Sequence, residues 1–441
     1  MKRWMQIAAL GLLLGGSGVG AEMCTVDVVP AATLLVPYFE VDTENALGVN
    51  TIVSVHNALP QPILLNVTLW TDYSIPSISF HLYLTGYDVE RINLSDMFLN
   101  GNIPITADLQ SDPSDAISPN AGNSTWDGSF EGCDTIFPLY SNPVVVGDLL
   151  DRLVNGHTGV QVQSANQNCI GSNYGDDIAR GYITLDVVNN CQLGTPDQSG
   201  YFDGFNPIAS TVNAVWGEMS LIDAGNAFSV TEPLVHIEAD PSFDSTSTDT
   251  GYTFYGRYTQ ALNGVDHREP LGTAWGVRYS TGAPFDGTDW VVWRDSTSSV
   301  PPTEVACNFN PLWYPLQETQ VDCWSEQEDL VSICGDNGED DPACFPLETQ
   351  KVAVNQGDLA LPWDFGWCRL DLNVPNDSFP TDVDFPSSGG NTTQSYVMGM
   401  TKSSGLYQVG AGAVQLGHAC DPLPVRGTDD ADVGVAQEVI R

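Results

Sequence analysis

The chain has 441 residues, about three times the length of a typical domain, and 42% of them are apolar, which is enough for real cores. Its charge is strongly unbalanced, with 56 Asp and Glu against 14 Lys and Arg and a formal net charge of −42. Nucleic acids and anionic lipid surfaces would repel such a chain, so partners of that kind held by charge are excluded. The apolar content excludes a wholly disordered chain.

The first 21 residues have the three parts of a secretory signal peptide. Lys2 and Arg3 form a positive start, Ile7 to Leu14 form a short apolar stretch, and Val19-Gly20-Ala21 supplies the small residues that a signal peptidase recognises. We predict a signal peptide over residues 1–21 and an extracytoplasmic protein, which is secreted, periplasmic or at the cell surface. No later apolar run approaches the roughly 18 residues of a membrane-spanning helix, so no integral membrane span is predicted.

Ten cysteines follow this segment, and an even number in an exported chain indicates disulfide bonds. They are Cys24, Cys133, Cys169, Cys191, Cys307, Cys323, Cys334, Cys344, Cys368 and Cys420. Their spacing lacks the CxxC pairs and histidine partners of a zinc site. Cys368 and Cys420 are predicted to pair because their strands should be neighbours, and Cys334 and Cys344 flank an acidic loop that a bridge would close.

Most of the chain consists of short segments rich in β-branched and aromatic residues and bounded by Pro, Gly, Asn and Asp. Such segments indicate β-strands, as in Thr51–His56, Ile63–Trp70 and Phe80–Leu84. One helix is predicted over Asp148–Val154, with Asp148 as its N-cap and Asn155-Gly156 at its end. The sequence therefore predicts an all-β protein with one short helix.

The order of these segments repeats along the chain, which predicts two copies of one fold. The matched segments are Val36–Val41 with Val277–Ser280, Thr51–Asn57 with Asp289–Asp295, Asn66–Asp72 with Gln320–Ser325, Gly181–Val187 with Gly366–Leu372, Met219–Val230 with Met400–Val409, and Leu234–Ala239 with Ala413–His418. We predict two tandem Ig-like β-sandwiches. The first would cover residues 22–240 with a long insertion at 95–180, and the second would cover 265–421, with a junction at 241–264 and an acidic tail at 422–441.

Six short motifs are spread over nearly the whole chain after residue 21. They are Val36-Pro-Tyr-Phe, Leu84-Thr-Gly-Tyr87, Ile92-Asn-Leu94, Ala179-Arg-Gly-Tyr182, His267-Arg-Glu-Pro270 and Trp293-Arg-Asp295. Together they resemble a family of secreted bacterial β-rich proteins of unassigned function. The resemblance implies export and a bacterial source, and it implies no activity and no catalytic residue.

The most unusual cluster in this acidic chain is basic. Arg257, Arg268, Arg278 and Arg294 fall within 38 residues, together with His267. One interpretation is a binding site that holds an anionic group through forked arginine hydrogen bonds. The other is structural, in which at least two of these arginines are mostly buried and pair with the nearest acids in sequence, which are Glu269, Asp289 and Asp295.

A second candidate site is the acidic loop between Cys334 and Cys344. Asp336, Asn337, Asp340 and Asp341 offer the hard oxygen ligands that calcium prefers. The loop matches neither an EF-hand nor an RTX repeat, so a solvated acidic turn is the alternative. Calcium is the only cofactor that the sequence suggests.

The familiar catalytic motifs are absent from the sequence, including GxSxG, HExxH and the P-loop. Together with the duplication and the cysteines, this predicts an exported, non-catalytic structural, adhesive or ligand-binding protein with an extracellular ligand or surface component as its partner. The alternative is a secreted hydrolase that acts on glycans through paired carboxylates.

Overall fold

The computed structural model of the chain describes residues 28–104, 143–156, 168–192, 194–203, 205–240, 253–256, 258, 266–283, 285, 287–295, 305–306, 316, 318–335, 343–354, 359–372, 394–403 and 407–418. These residues form an all-β protein with antiparallel sheets and, within the described ranges, two helices. The predicted signal peptide, calcium loop and acidic tail lie outside them. No helix in the described ranges is long and apolar enough to cross a membrane.

The described residues of the first half form two helices and ten strands. They are β1 (Thr33–Asp42), β2 (Val49–Asn57), β3 (Ile63–Trp70), β4 (Pro76–Leu84), β5 (Val89–Asn93), α1 (Leu94–Asn100), α2 (Pro143–Leu153), β6 (Asn168–Cys169), β7 (Ile178–Val188), β8 (Val215–Asp223), β9 (Phe228–Pro233) and β10 (Val235–Ile237).

The described residues of the second half contain ten strands. They are β11 (Gly272–Ser280), β12 (Gly287–Arg294), β13 (Val305–Ala306), β14 (Gln320–Ser325), β15 (Leu330–Gly335), β16 (Thr349–Ala353), β17 (Phe365–Asp371), β18 (Ser395–Ser403), β19 (Tyr407–Gly412) and β20 (Val414–His418).

Four sheets contain nearly all of these strands. In the first half, sheet 1 has the order β10-β1-β7-β3-β4 and sheet 2 has the order β5-β2-β8-β9. In the second half, sheet 3 has the order β20-β11-β17-β14-β15 and sheet 4 has the order β16-β12-β18-β19. A separate two-stranded pair joins β6 to β13 and so links the two halves.

The strand order of sheets 1 and 2 recurs in sheets 3 and 4. Each strand of sheet 1 has a counterpart at the same place in sheet 3, and each strand of sheet 2 has one in sheet 4. The six segment pairs matched in the sequence lie on counterpart strands. We call sheets 1 and 2 the first repeat and sheets 3 and 4 the second repeat. The predicted domain boundaries and the Ig-like class stay predictions.

Two details of the backbone fix which residues are equivalent. A Cβ on Gly181 would lie 2.1 Å from the carbonyl oxygen of Trp70, and a Cβ on Gly366 would lie 2.1 Å from that of Trp324. Thr51 Oγ1 hydrogen-bonds both backbone groups of Glu40, and Thr288 Oγ1 does the same at Ser280.

The threonine pair sets the residue-by-residue alignment of β2 with β12. Thr51 is equivalent to Thr288, which lies one residue before the segment Asp289–Asp295 that was matched to it in the sequence. A shift of one residue moves every side chain to the other face of a strand. Core-facing Val53 therefore corresponds to core-facing Trp290, and outward-facing Ser54 corresponds to Val291.

Sheet 1 is buried on both faces. Leu34 and Val36 of β1 lie in the core that sheet 1 shares with sheet 2, whereas Leu35 clusters with Trp293 of sheet 4. Sheet 4 is also covered on both faces, because Trp290 and Val292 lie in the core shared with sheet 3. The sheets therefore stack in the order 2, 1, 4, 3, which explains why nearly every residue of β1, β3, β7 and β12 is buried.

The helices differ from the prediction of one helix. The predicted helix exists as α2, but it begins at Pro143, a residue that suits a first helical turn. Asp148 is therefore inside the helix and is not its cap. Helix α1 was not predicted; Asn93 caps it, its side chain accepting from the Asp96 N–H at 3.4 Å, and Gly101 ends it with a left-handed φ of 70°.

Two disulfides lie within the described residues of the second repeat. Cys334–Cys344 was predicted and is confirmed. The predicted Cys368–Cys420 pair is wrong, because Cys368 on β17 bonds Cys323, which lies directly opposite on β14. Strand β11 separates β17 from β20.

Other cysteines are described less fully. Cys191 also belongs to a disulfide, and no cysteine within the described residues is free. Cys24, Cys133, Cys307, Cys420 and the side chain of Cys169 lie outside the described part.

Candidate functional site

A cleft of about 570 Å³ lies where the two repeats meet. The first repeat supplies the end of β1 and the turn between β8 and β9, and the second repeat supplies β12, β16 and β18. Lys351 and Lys402, the only two lysines after residue 21, both line this cleft. The cleft therefore holds both lysines of the chain after residue 21.

The first charged pair of the cleft joins Glu40 of β1 to Lys351 of β16. A β-bulge between Val36 and Phe39 keeps both of these residues facing the core, and it turns Glu40 toward sheet 4. Lys351 Nζ hydrogen-bonds Glu40 Oε2, and Tyr38 donates to Glu40 Oε1 at 2.7 Å. Glu40 is only 5% exposed, so this carboxylate is held in place from two sides.

The second charged pair lies entirely on sheet 4. Lys402 Nζ at the end of β18 approaches Asp289 Oδ2 of β12 at 2.5 Å. Asp289 is 5% exposed, but Lys402 is 43% exposed. An ammonium group has three donors, so Lys402 can still donate to a molecule in the cleft.

The turn between β8 and β9 forms the opposite wall. Asp223 fixes this turn, because its carboxylate accepts from the backbone N–H of Asn226 at 3.1 Å and from its side-chain amide at 2.7 Å. Ala227 adopts a left-handed φ of 50°. Phe228 follows it and joins Met400 in the apolar part of the lining.

The lining therefore offers both signs of charge beside an apolar wall. Three carboxylates, from Glu40, Asp223 and Asp289, stand against two ammonium groups. The volume lies within the roughly 300–1,000 Å³ of ordinary ligand sites. Such a lining suits a small molecule that carries a positive and a negative group on a short apolar frame.

Arg268, one of the predicted binding residues, is buried between the repeats. Its Nη1 donates to Asp266 Oδ1 at 3.2 Å, its Nη2 donates to the Ser210 carbonyl at 3.1 Å, and its Nε lies 3.7 Å from Asp186 Oδ1. Its Nε also donates to Thr33 Oγ1. This network ties the junction before sheet 3 to β1 and β7 of sheet 1.

Arg294 is also buried, at the end of β12. Its Nη1 lies 3.3 Å from Glu318 Oε2 and donates to the Phe345 carbonyl at 2.8 Å, and its Nη2 donates to the Leu372 carbonyl at 2.7 Å. Burial raises the pKa of Glu318 and lowers that of Arg294, and the attraction between the two groups opposes both shifts. This arginine thus joins three segments of the second repeat.

The other members of the predicted basic site are dispersed. Arg278 is exposed on β11, His267 is half-buried beside Arg268, and Arg257 lies outside the described residues. Asp186, Asp266 and Glu318 pair with the buried arginines. They are not the predicted Glu269, Asp289 and Asp295, although Asp266 lies only two residues from Arg268. The burial of Arg268 and Arg294 supports the structural interpretation, and an anion-binding role stays a prediction.

The predicted calcium ligands Asp336, Asn337, Asp340 and Asp341 lie outside the described residues. Cys334 and Cys344 flank these residues in the sequence. The ligand atoms of Glu318, Cys334 and Cys344 lie within 4.8 Å of one another. The two sulfur atoms form a disulfide, so they present no thiolate to a metal.

Sequence reasoning missed the cleft. Its charged residues come from β1, β8, β12, β16 and β18, and Glu40 and Lys351 are 311 positions apart. One signal was present in the sequence: only two lysines follow residue 21. Both belong to the strands that now form sheet 4.

Comparisons of the chain with protein-family models, with curated proteins and with solved structures find no match in any of the three. The chemistry of the cleft therefore has to follow from its own residues and charges.

Proposed function

We propose that this chain is an exported, non-catalytic binding protein that holds a small zwitterion in the cleft between its repeats. The observation that carries this proposal is the placement of Lys351 and Lys402 in one cleft, each beside a nearly buried carboxylate.

The net charge of the whole chain favours a zwitterion over an anion or a cation as the ligand. A net charge of −42 repels an anion at long range, and it attracts cations to many places on the surface. A zwitterion has no net charge and escapes this field. Its anionic group would accept from Lys402, and its cationic group would face the carboxylate of Asp223, across a lining that includes Phe228 and Met400.

Export is supported by the disulfides. Cys323–Cys368 and Cys334–Cys344 are covalent bonds of a kind that persists in oxidising compartments. Cleavage after Ala21 would make Glu22 the first residue of the mature protein, and N-terminal sequencing of the protein from the producing cells tests this. A mature protein that begins at Met1 would contradict export by this route.

Calorimetric titration of the purified protein with α-amino acids and their N-trimethylated forms tests the binding proposal. A zwitterion should bind more tightly than the matched carboxylate without its ammonium group. Lys402→Gln should weaken binding about tenfold or more, and, because the pair is partly exposed, it should change the free energy of unfolding by less than about 1 kcal/mol.

Arg369→Gln is the matched control, since Arg369 is 42% exposed and lies on sheet 3 away from the cleft. No binding of any zwitterion at millimolar concentration would overturn the proposal. Turnover of a glycan panel that is lost in Asp289→Asn would replace it with the hydrolase that acts through paired carboxylates.

A further inference from the structure

An aromatic pair lies on the outer face of sheet 3. Trp324 of β14 and Trp367 of β17 stack with ring centroids 4.6 Å apart and planes 17° apart. Trp367 is 41% exposed, Phe365 beside it is 44% exposed, and Leu330 across from Trp324 is 57% exposed. We call this surface the sheet-3 face.

The first repeat has the same pair at the same place, but there it is covered. Trp70 and Tyr182 are the equivalents of Trp324 and Trp367, because Gly181 and Gly366 adjoin them in the same way. Their rings stack 5.8 Å apart and are 1% and 2% exposed. Trp293 of sheet 4 meets the Tyr182 ring edge-on at 5.9 Å. Sheet 4 of the second repeat is thus what covers this face of the first repeat.

Sheet 2 lies at the opposite end of the stack of sheets. Its outer face is equivalent to the face of sheet 4 that covers the first repeat. With Thr51 equivalent to Thr288, His56 and Trp216 on sheet 2 correspond to Trp293 and Tyr396 on sheet 4. The His56 and Trp216 rings stack 3.8 Å apart, and Trp216 is 37% exposed. We call this surface the sheet-2 face.

We infer that the exported chain associates head to tail, with the sheet-2 face of one molecule on the sheet-3 face of the next. The contact would repeat between molecules the packing that already joins sheets 4 and 1 within one molecule. His56 and Trp216 would meet Trp367 in the way that Trp293 meets Tyr182. The cleft proposed as the ligand site takes no part in this contact.

The charges on the two faces support this pairing. Within the chain, Tyr38 of sheet 1 and Met398 of sheet 4 belong to one buried apolar cluster. The equivalent of Tyr38 on the sheet-3 face is Arg278, and the equivalent of Met398 on the sheet-2 face is Glu218. Both are exposed. Two members of an apolar cluster inside the molecule therefore correspond to two residues of opposite charge that would face each other between molecules.

The chain's own C-terminal segment differs from the segment that helps to cover the first repeat. After β10, the junction adds Phe254, Tyr255 and Tyr258 to the aromatic cluster around Trp70. The corresponding segment after β20, residues 419–441, contains no Phe, Tyr or Trp. A second copy of the chain thus matches the sheet-3 face better than this segment does.

A contact between two different faces leaves one of each free, so association can continue to rings or filaments. The net charge of −42 opposes it at low ionic strength, and salt screens this repulsion within about 10 Å at 0.1 M. Association should therefore strengthen as salt is raised.

Sedimentation velocity of the purified, disulfide-bonded chain at rising protein and salt concentration tests the inference. Trp367→Ala removes the sheet-3 anchor, and Trp216→Ala removes the sheet-2 anchor. Each variant should weaken association about tenfold or more. A mixture of the two should form a heterodimer and stop there, because only one intact face of each kind remains. Phe205→Ala, at a fully exposed aromatic residue outside both faces, is the control.

Exchanging the two charges tests whether Arg278 of one molecule pairs with Glu218 of the next. Arg278→Glu and Glu218→Arg should each weaken association, and the double variant should recover it. The inference is overturned if the chain stays monomeric at every salt concentration, if the Trp367→Ala and Trp216→Ala mixture forms no heterodimer, or if the chain associates only after removal of residues 419–441. Binding of a glycan that depends on Trp367 without self-association would also overturn it.

Discussion

The two repeats share a strand order, yet the outer faces of their five-stranded sheets have different surroundings. In the first repeat, Trp70 and Tyr182 are buried under sheet 4 and the junction segment, and Asp186 on the same face pairs with Arg268. In the second repeat, Trp367 is exposed, and Asp371, the equivalent of Asp186, lies 3.8 Å from the exposed Arg369. One framework thus serves as an internal interface in one copy and as a surface in the other.

The cores of the two repeats differ in a related way. Leu69 and Ile183 face each other in the core of the first repeat, and their equivalents in the second repeat are Cys323 and Cys368, which form a disulfide. Sheet 1 is packed on both faces, whereas sheet 3 is packed on one. A covalent bond therefore stands in the repeat whose five-stranded sheet has less packing around it.

The largest difference between the repeats should appear when their charged networks are broken. Arg268→Ala leaves Asp186 and Asp266 buried without their partner, and we expect it to lower the free energy of unfolding by about 3–5 kcal/mol. Arg369→Ala removes the exposed arginine beside Asp371, and it should lower the free energy of unfolding by less than about 1 kcal/mol. Urea unfolding monitored by tryptophan fluorescence measures both. Equal losses would show that burial does not separate the two sites.

The second prediction concerns the core disulfide of the second repeat. Cys323→Ala with Cys368→Ala opens a link between residues 45 positions apart and should cost about 2–4 kcal/mol. Replacing both with Val restores apolar volume like that of Leu69 and Ile183 without the covalent bond. If the Val pair is as stable as the disulfide, packing and not the bond stabilises this core. Thermal unfolding under oxidising conditions gives the comparison.

The third prediction tests whether the repeats share their backbone constraints. Gly181→Ala and Gly366→Ala each place a Cβ against a neighbouring carbonyl oxygen, at Trp70 and at Trp324. Overpacking of this kind typically costs about 1–3 kcal/mol. We expect similar losses at both positions in chemical denaturation. A large loss at one glycine and none at the other would contradict their equivalence.

The sequence predicted the strands well because each strand is a short local signal. Segments such as Gly181–Val187 and Gly366–Leu372 carry β-branched and apolar residues between turn residues, and that pattern depends on few neighbours. The residue-by-residue alignment of β2 with β12 was harder to predict, because β2 is covered on one face and β12 is covered on both. Alternation between polar and apolar residues marks the faces of β2, but β12 has none to mark.

Contacts between the repeats could not be predicted from the sequence. Arg268 was expected to pair with acids near it in sequence, and Asp266 is such an acid, but its other partner, Asp186, lies on a strand of the first repeat. The cleft depends in the same way on how sheet 4 lies against sheet 1, which brings Lys351 to Glu40. Local patterns give the strands, and long-range packing decides which side chains meet.

The smallest effect is a difference in acid sensitivity at one matched position. His236 on β10 is equivalent to Gln415 on β20, because each lies opposite the equivalent residue of β1 or β11. His236 Nε2 accepts from the Gly217 N–H at 3.2 Å, and burial lowers the pKa of His236 to about 4. The unfolded chain keeps an ordinary histidine pKa near 6.5.

Between about pH 6.5 and 4, the unfolded chain therefore binds a proton at His236 that the folded chain does not, so stability is lost as the pH falls. At pH 5.5 this loss should be about 1.4 kcal/mol relative to pH 7.5. His236→Gln places the residue of the second repeat at this position and should remove the loss of stability that His236 causes in acid. Burial also lowers the pKa of His81 to about 4, but His81 is present in both proteins and contributes equally to both. Unfolding free energies of the two proteins, measured at half-unit steps from pH 7.5 to 4.5 and each referred to its own value at pH 7.5, should separate as the pH falls, because only the protein with His236 loses this stability. Parallel curves would mean that His236 is protonated in the folded chain without loss of its place beside Gly217.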